Sequence, residues 1–213
     1  MKLKMNATSL KSSSALTFNR MKLPYRWLLI PFVCAFALSA RATTVIPPNF
    51  DQLVQRAQII FEGNVTGLKS EWIGAGSEHR IVTYVTFKVD DSLKGDAGTS
   101  YTIRMLGGTV DGQTMQVSDA PKFQVGDHDL LFVENNGSQF IPLVGIEHGS
   151  FRITKDASGN DVIVTGDDQP LTDVSQLGTN EKAFAANKRA LSLQDFKATV
   201  RTRVQQQNRA QNR

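Results

Sequence analysis

Alternation of apolar and polar positions is clearest between His79 and Asp90. Ile81, Thr83, Val85, Phe87 and Val89 fall on one side of an extended chain, and Val82, Tyr84, Thr86, Lys88 and Asp90 on the other. Period-2 patterning over a run rich in β-branched and aromatic residues predicts a half-buried strand, against which the other strand candidates can pair or pack. Residues 91–98 read as the turn that follows, with Gly95 and Gly98 suited to positive φ. Upstream, 59–68 is a first strand. Its Gly63 and Gly67 share a face with Ile59, Phe61 and Val65, and glycines inside a strand mark a bulge or bend. Residues 72–77 are the loop between the two.

Downstream, Tyr101, Ile103 and Met105 line a third strand that Gly107-Gly108 breaks, and a shorter strand is expected around 114–117. A linker over 120–126 carries two apolar anchors, Phe123 and Val125. The nearly continuous apolar run 129–134 predicts a strand buried on both faces. Residues 140–144 are expected to pair with it across Asn135-Asn136-Gly137, and 151–155 and 161–165 form a hairpin around 156–160.

Helical spacing occurs at both ends of this β region. After Pro47-Pro48, Asn49 is an N-cap for Phe50, Leu53, Val54 and Ala57, a short helix over 50–57 that would cover one end of a barrel. Ser192, with Asp195 three residues on, starts a final amphipathic helix whose buried stripe is Leu193, Phe196, Val200 and Val204, with fraying expected from Gln205. Residues 166–180 are polar and irregular, and 181–189 suit one or two helical turns. No internal repeat is present. The expected organisation is mainly β: a small barrel with an appended hairpin over 43–165, then a polar linker, C-terminal helix and tail over 166–213.

The leader changes the charge picture. Residues 1–42 carry seven Lys/Arg and no Asp or Glu, so the remaining 171 residues hold 17 basic against 20 acidic side chains, a net of −3. A mildly acidic protein is not a nucleic-acid binder by charge. Lys22 and Arg26 precede a 14-residue apolar run, 27–40, and Ala40-Arg41-Ala42 is an A-x-A cleavage site. These are the three parts of a secretory signal peptide, and the run falls short of the ~20 residues that span a bilayer. Cleavage after Ala42 is expected, with Met21 an alternative start, leaving an exported chain with no membrane segment. Cys34, the one cysteine, lies in the apolar run, so the mature chain would have no thiol.

Candidate chemistry is sparse. His79, His128 and His148 show neither helical i, i+4 spacing nor an H-E-x-x-H motif, which points to surface histidines and no metal or cofactor site. No G-x-S-x-G occurs. Tyr84, Lys88, Tyr101 and Arg104 are too few to make an oligonucleotide-binding face. The most unusual loop, 145–149, reads as a glycine-bounded turn or as a recognition loop; Glu147 and His148, with His128, are its candidate recognition residues. No catalytic residue is assigned.

The sequence over 50–57, then Ile60-Phe61-Glu62-Gly63-Asn64-Val65-Thr66, Val85–Val89, Leu93-Lys94-Gly95, Phe123–Gly126 and Leu130–Val133, resembles bacterial exported proteins of unassigned function. More distantly it is similar to the OB-fold barrels of the netrin-like and tissue-metalloprotease-inhibitor superfamily. The resemblance covers 50–134 and implies an OB-like barrel. Those inhibitors act through an N-terminal cysteine, which the mature chain would lack, so the resemblance implies a fold and not that activity. The expectation is an exported, non-enzymatic module that binds another exported protein or a surface ligand. Two alternatives stand: an enzyme using carboxylates and histidines of 126–129 and 145–149, or a protease-inhibitor-like protein.

Overall fold

A computed structural model describes residues 47–166, 168–179 and 189–211. The expected leader, Cys34 and all but Arg189 of the helical turns expected over 181–189 lie outside the described residues. The described residues are mainly β, with two α-helices. Helix α1 (Phe50–Arg56) is followed by strands β1 (Ile59–Ile73), β2 (Arg80–Lys94), β3 (Ser100–Leu106), β4 (Gly108–Val110), β5 (Gln113–Met115), β6 (His128–Val133), β7 (Ser150–Lys155) and β8 (Asp161–Thr165), then helix α2 (Leu193–Gln211). Six strands form one antiparallel sheet in the order β3-β2-β1-β6-β7-β8, and β4-β5 make a separate hairpin.

The sheet does not close into a barrel: its pairing ends at β3 on one side and β8 on the other. The segment expected to pair as a strand, 140–144, makes only an isolated bridge, Val133 to Leu143, a Glu134 N–H to Pro142 C=O bond and a Val144 N–H to Phe132 C=O bond. Pro142 has no N–H to give, and the segment starts from Asn135 at φ 50°, which takes it out of the ladder. It still reaches the far edge, where the Leu106 N–H donates to the Phe140 carbonyl at 2.7 Å.

The period-2 reading of β2 holds in its middle. Val85 and Phe87, with Ile103 and Met105 of β3 and Phe61 and Val65 of β1, fill one core that Phe123, Leu131, Val133, Ile141 and Leu143 complete. The other face of the sheet carries a second core: Ile60, Leu130, Phe132, Phe151, Ile153 and Ile163 beneath Phe50, Leu53 and Val54 of α1 and Leu193, Phe196 and Val200 of α2. Strand β6 sends Leu130 and Phe132 to one core and Leu131 and Val133 to the other, which is why it reads as an unbroken apolar run. Phe196 is fully buried, with its ring centroid 5.1 Å from Phe151, 6.2 Å from Phe50 and 6.4 Å from Phe132. Burying one such side chain contributes about 1.5–3 kcal/mol.

Asn49 caps α1 as expected: its side chain accepts the Gln52 N–H, and Gln52 returns the bond to the Asn49 N–H, both at 2.9 Å. The Ser192 hydroxyl accepts the Asp195 N–H at the start of α2. Helix α2 continues to Gln211, through the stretch from Gln205 where fraying is expected, and that last part is largely exposed. Both long strands also outrun the sequence reading. Strand β1 continues through Trp72 and Ile73, and β2 through Asp91–Lys94, because the two pair along nearly their whole length and only 95–99 is left as the turn. Of the two anchors in 120–126, Phe123 is buried and Val125 is 65% exposed.

Candidate functional site

Three bulges in the β1–β2 ladder decide which polar groups meet. Ile60 pairs with Lys94 but Phe61 with Ser92; Glu62 pairs with Asp91 but Gly63 with Val89; Val65 pairs with Phe87 but Gly67 with Thr86. The second bulge leaves Asp90 as an extra residue. Successive strand residues ordinarily face opposite ways, but a bulge rotates the chain locally, so Asp90 and Asp91 both reach the helix side of the sheet. Gly63 sits at this crossing, where a Cβ would lie 2.5 Å from the Lys88 carbonyl oxygen.

An ionic cluster results. Glu62, buried between the strands and α2, accepts from His128 Nε2–H at 3.0 Å through one oxygen and from the Lys197 ammonium through the other. Lys197 also pairs with Asp91 at 2.5 Å, and Arg201 reaches the same Asp91 oxygen at 2.6 Å. Asn64 Nδ2 donates to Asp90 Oδ2 at 2.5 Å, and His128 Nε2 lies 4.0 Å from that oxygen. The hydrogen bond from His128 holds the Glu62 carboxyl below its ordinary range against the opposing effect of burial, and Glu62 in turn raises the His128 pKa. Burial works against the Lys197 ammonium, but its bonds to Asp91 and Glu62 outweigh that and raise its pKa.

Among the described residues, Glu62, Asp90 and His128 are the one set whose metal-binding atoms lie within 4.8 Å of one another. Glu62 is already matched by Lys197, and the cluster is complete as a tie between α2 and the sheet. His128 is thus half-buried and paired, where the sequence suggested a surface position. His79 stacks on Trp72, with ring centroids 4.2 Å apart.

The opposite face of β6 carries a different arrangement. Asp129 is 1% exposed and stands across the β6–β7 ladder from Arg152. Arg152 Nε approaches Asp129 Oδ1 at 3.4 Å, but the same guanidinium donates to Asp127 Oδ2 at 3.0 Å and to the Lys122 carbonyl at 3.1 Å. The other Asp129 oxygen, Oδ2, is buried without a donor. Burial raises the Asp129 pKa to about 6, with Arg152 opposing and Asp127 reinforcing the shift. Asp129 and Arg152 form part of the wall of a cavity of about 360 Å³, with Lys122, Glu147, Ser150 and Asp168 among its other lining residues.

The turn 145–149 supplies Glu147. Gly145 (φ 66°) and Ile146 (φ 65°) are both left-handed and lead into a 3₁₀ turn, Ile146–Gly149. The structure therefore separates the three sequence-based candidates. Glu147 lines the cavity, His148 sits half-buried in the same turn outside that lining, and His128 faces the ionic cluster on the other side of β6. Of the carboxylates open to acid–base work, Asp127, Asp129, Glu134 and Glu147, only Asp129 and Glu147 line this cavity; Glu134 pairs with Arg56 at 2.6 Å. Arg152 and Lys197 were missed. Lys197 had a readable signal, since it lies four residues after Leu193 and one after Phe196, inside the apolar stripe.

A second, mainly apolar cavity of about 270 Å³ lies under the β4–β5 hairpin, with Leu68, Val85, Met105, Met115, Val117 and Phe123 among its lining. Residues 120–122 line both cavities. Among the described residues no helix is long and apolar enough to cross a membrane. Comparison with protein-family models, curated proteins and solved structures finds no match to this chain.

Proposed function

We propose that this is an exported, non-enzymatic binding module whose ligand occupies the cavity over Asp129 and Arg152. The observation that carries the reading is Asp129, a lining residue of a polar cavity whose Oδ2 atom is buried without a hydrogen-bond donor. A buried polar atom left unsatisfied costs about 1–3 kcal/mol, and a ligand donor removes that cost. We also read β1, β2, β3 and β6, joined at the open edge by 135–143, as an OB-like barrel whose mouth holds the cavity. The Leu106–Phe140 bond and the core enclosed by those strands support this.

The alternative is an enzyme. What favours it is a carboxyl with its pKa raised to about 6 sharing a cavity with Glu147, the kind of pairing that serves acid–base chemistry. Ligand-observed NMR against a fragment library separates the readings when paired with assays on chromogenic esters, glycosides and phosphate esters. The binding reading expects fragments that bind wild type and are lost in Asp129→Asn, with no turnover. Turnover abolished by Asp129→Asn establishes the enzyme instead.

A further inference from the structure

The charge around Asp129 does not balance. Asp119, Asp129, Glu147 and Asp168 contribute four carboxylates to the cavity lining, against the two cations Lys122 and Arg152. Arg152 is already divided among Asp127, Asp129 and the Lys122 carbonyl, and Lys122 is exposed. Arg152 Nε is thus committed to Asp129 Oδ1 and Nη2 to Asp127 and the Lys122 carbonyl, while Oδ2 has no donor. A group that donates a hydrogen bond and carries positive charge would serve Oδ2 and offset the excess of carboxylates together.

A divalent metal ion meets the charge requirement but not the geometry. Among the described residues, the carboxylates of this cavity form no set of three with ligand atoms within 4.8 Å; the set that does so lies on the other face of β6. An organic cation needs no such convergence, since its N–H groups spread over several acceptors. A volume of about 360 Å³ lies within the range of small-molecule sites, about 300–1,000 Å³.

We propose that the cavity takes a primary ammonium or guanidinium group, which donates to Asp129 Oδ2 and is flanked by Glu147. This rests on the reading of the cavity as a binding site. Oδ2 is itself sealed from solvent, so contact requires a small displacement of the wall. The Ser150 hydroxyl and the Glu147 carboxylate offer further acceptors. The cation arises either as a free small amine or as a Lys or Arg side chain of a peptide.

Calorimetric titration of the mature chain tests this with putrescine and agmatine as free cations, Gly-Lys-Gly and Gly-Arg-Gly as peptide cations, and glycerol, acetate and calcium chloride as neutral, anionic and metal probes. The expected result is saturable binding of one or both cation classes, weakened at least tenfold in Asp129→Asn and less in Glu147→Gln. Which class binds more tightly identifies the source. Affinity should rise from pH 5 to pH 7.5, because the cation requires the ionised carboxylate. The titratable neighbours on every side are Asp127, Arg152, His128, Glu147, Asp119, Asp168 and Lys122. Binding of glycerol or acetate, lost in Asp129→Asn, overturns the cation inference and leaves the binding module standing. Calcium binding in place of the organic cations overturns it in the same way. Absence of binding by every probe, with both variants folded by circular dichroism, overturns the cation inference, and an empty fragment screen as well overturns the cavity reading itself.

Discussion

The ammonium of Lys197 on α2 rests on the carboxylate of Glu62 in β1, both nearly buried and 135 residues apart in the chain. This contact fixes where the helix sits along the sheet, because Lys197 lies between Phe196 and Val200, which enter the apolar core. Removing one partner strands the other as a buried charge. Lys197→Met should therefore cost about 3–5 kcal/mol. Glu62→Gln combined with Lys197→Met should recover a substantial part of that loss. Lys155→Ala, which breaks the exposed pair with Asp161, should cost under about 1 kcal/mol. Urea melts of the four proteins compare them; equal costs for Lys197→Met and Lys155→Ala would show that the buried pair does not hold α2.

How far the sequence carried this picture depended on whether a feature followed a regular period. The α1 cap, the doubly buried β6, the β7–β8 hairpin and the α2 stripe all do, and each was readable. The ionic cluster depends on bulges. A period-2 reading assigns Asp90 and Asp91 to opposite faces, and only the extra residue opposite Glu62 and Gly63 brings Asp91 to Lys197 and Asp90 to Asn64 and His128 in one cluster. The cavity is half legible: the segments 126–129 and 145–149 offer Asp129 and Glu147, but their meeting depends on β6 pairing with β7 and on the left-handed step at Gly145 and Ile146. Neither is a local property of the residues concerned.

Gly63 of β1 lies close against the backbone of β2. Its missing Cβ would stand 2.5 Å from the Lys88 carbonyl oxygen and 3.3 Å from Val89 Cα, both backbone atoms that cannot swing away. Gly63→Ala should separate the strands at the bulge and cost about 1–3 kcal/mol, the usual range for an overpacked site. Gly67→Ala, where a Cβ meets nothing within 4 Å, is the control and should stay within about 1 kcal/mol. Thermal melts that rank the two the other way would place the close approach elsewhere.

Phe87 is fully buried, edge-on to Phe61 at 5.4 Å and to Phe123 at 5.5 Å. Phe87→Ala should leave a cavity at the junction of three rings and cost about 3–5 kcal/mol. Tyr84 belongs to neither core and is half-exposed, so Tyr84→Ala should cost clearly less. Equal costs in denaturant melts would mean that the strand is buried on both faces there.

Export is tested at the chain's own N-terminus. The 14-residue apolar run ending at Ala40-Arg41-Ala42 should direct cleavage before Thr43. Edman sequencing of the protein recovered from the export compartment is expected to begin at Thr43. Retention of the full chain in the membrane fraction would overturn the proposal.

Three groups make stability depend on pH, in separable windows. Asp129 keeps its proton more tightly when folded, at about 6 against an ordinary 3.8. A raised folded pKa on an acid contributes stability below about pH 4 that is lost as the pH rises to about 6, in all about 3 kcal/mol. His128, raised above 6.5 by its bond to Glu62, contributes fully below pH 6.5 and loses that contribution as the pH rises through its folded value. Glu62, lowered from 4.5, contributes above that value and loses it as the pH falls through its depressed folded value. Urea melts at half-unit steps from pH 4 to pH 8.5 should show stability declining across pH 4–6 and again above 6.5. Asp129→Asn should flatten the first decline and leave the second, while His128→Gln should do the reverse. If Asp129→Asn runs parallel to wild type across pH 4–6, Asp129 does not hold a proton in the fold.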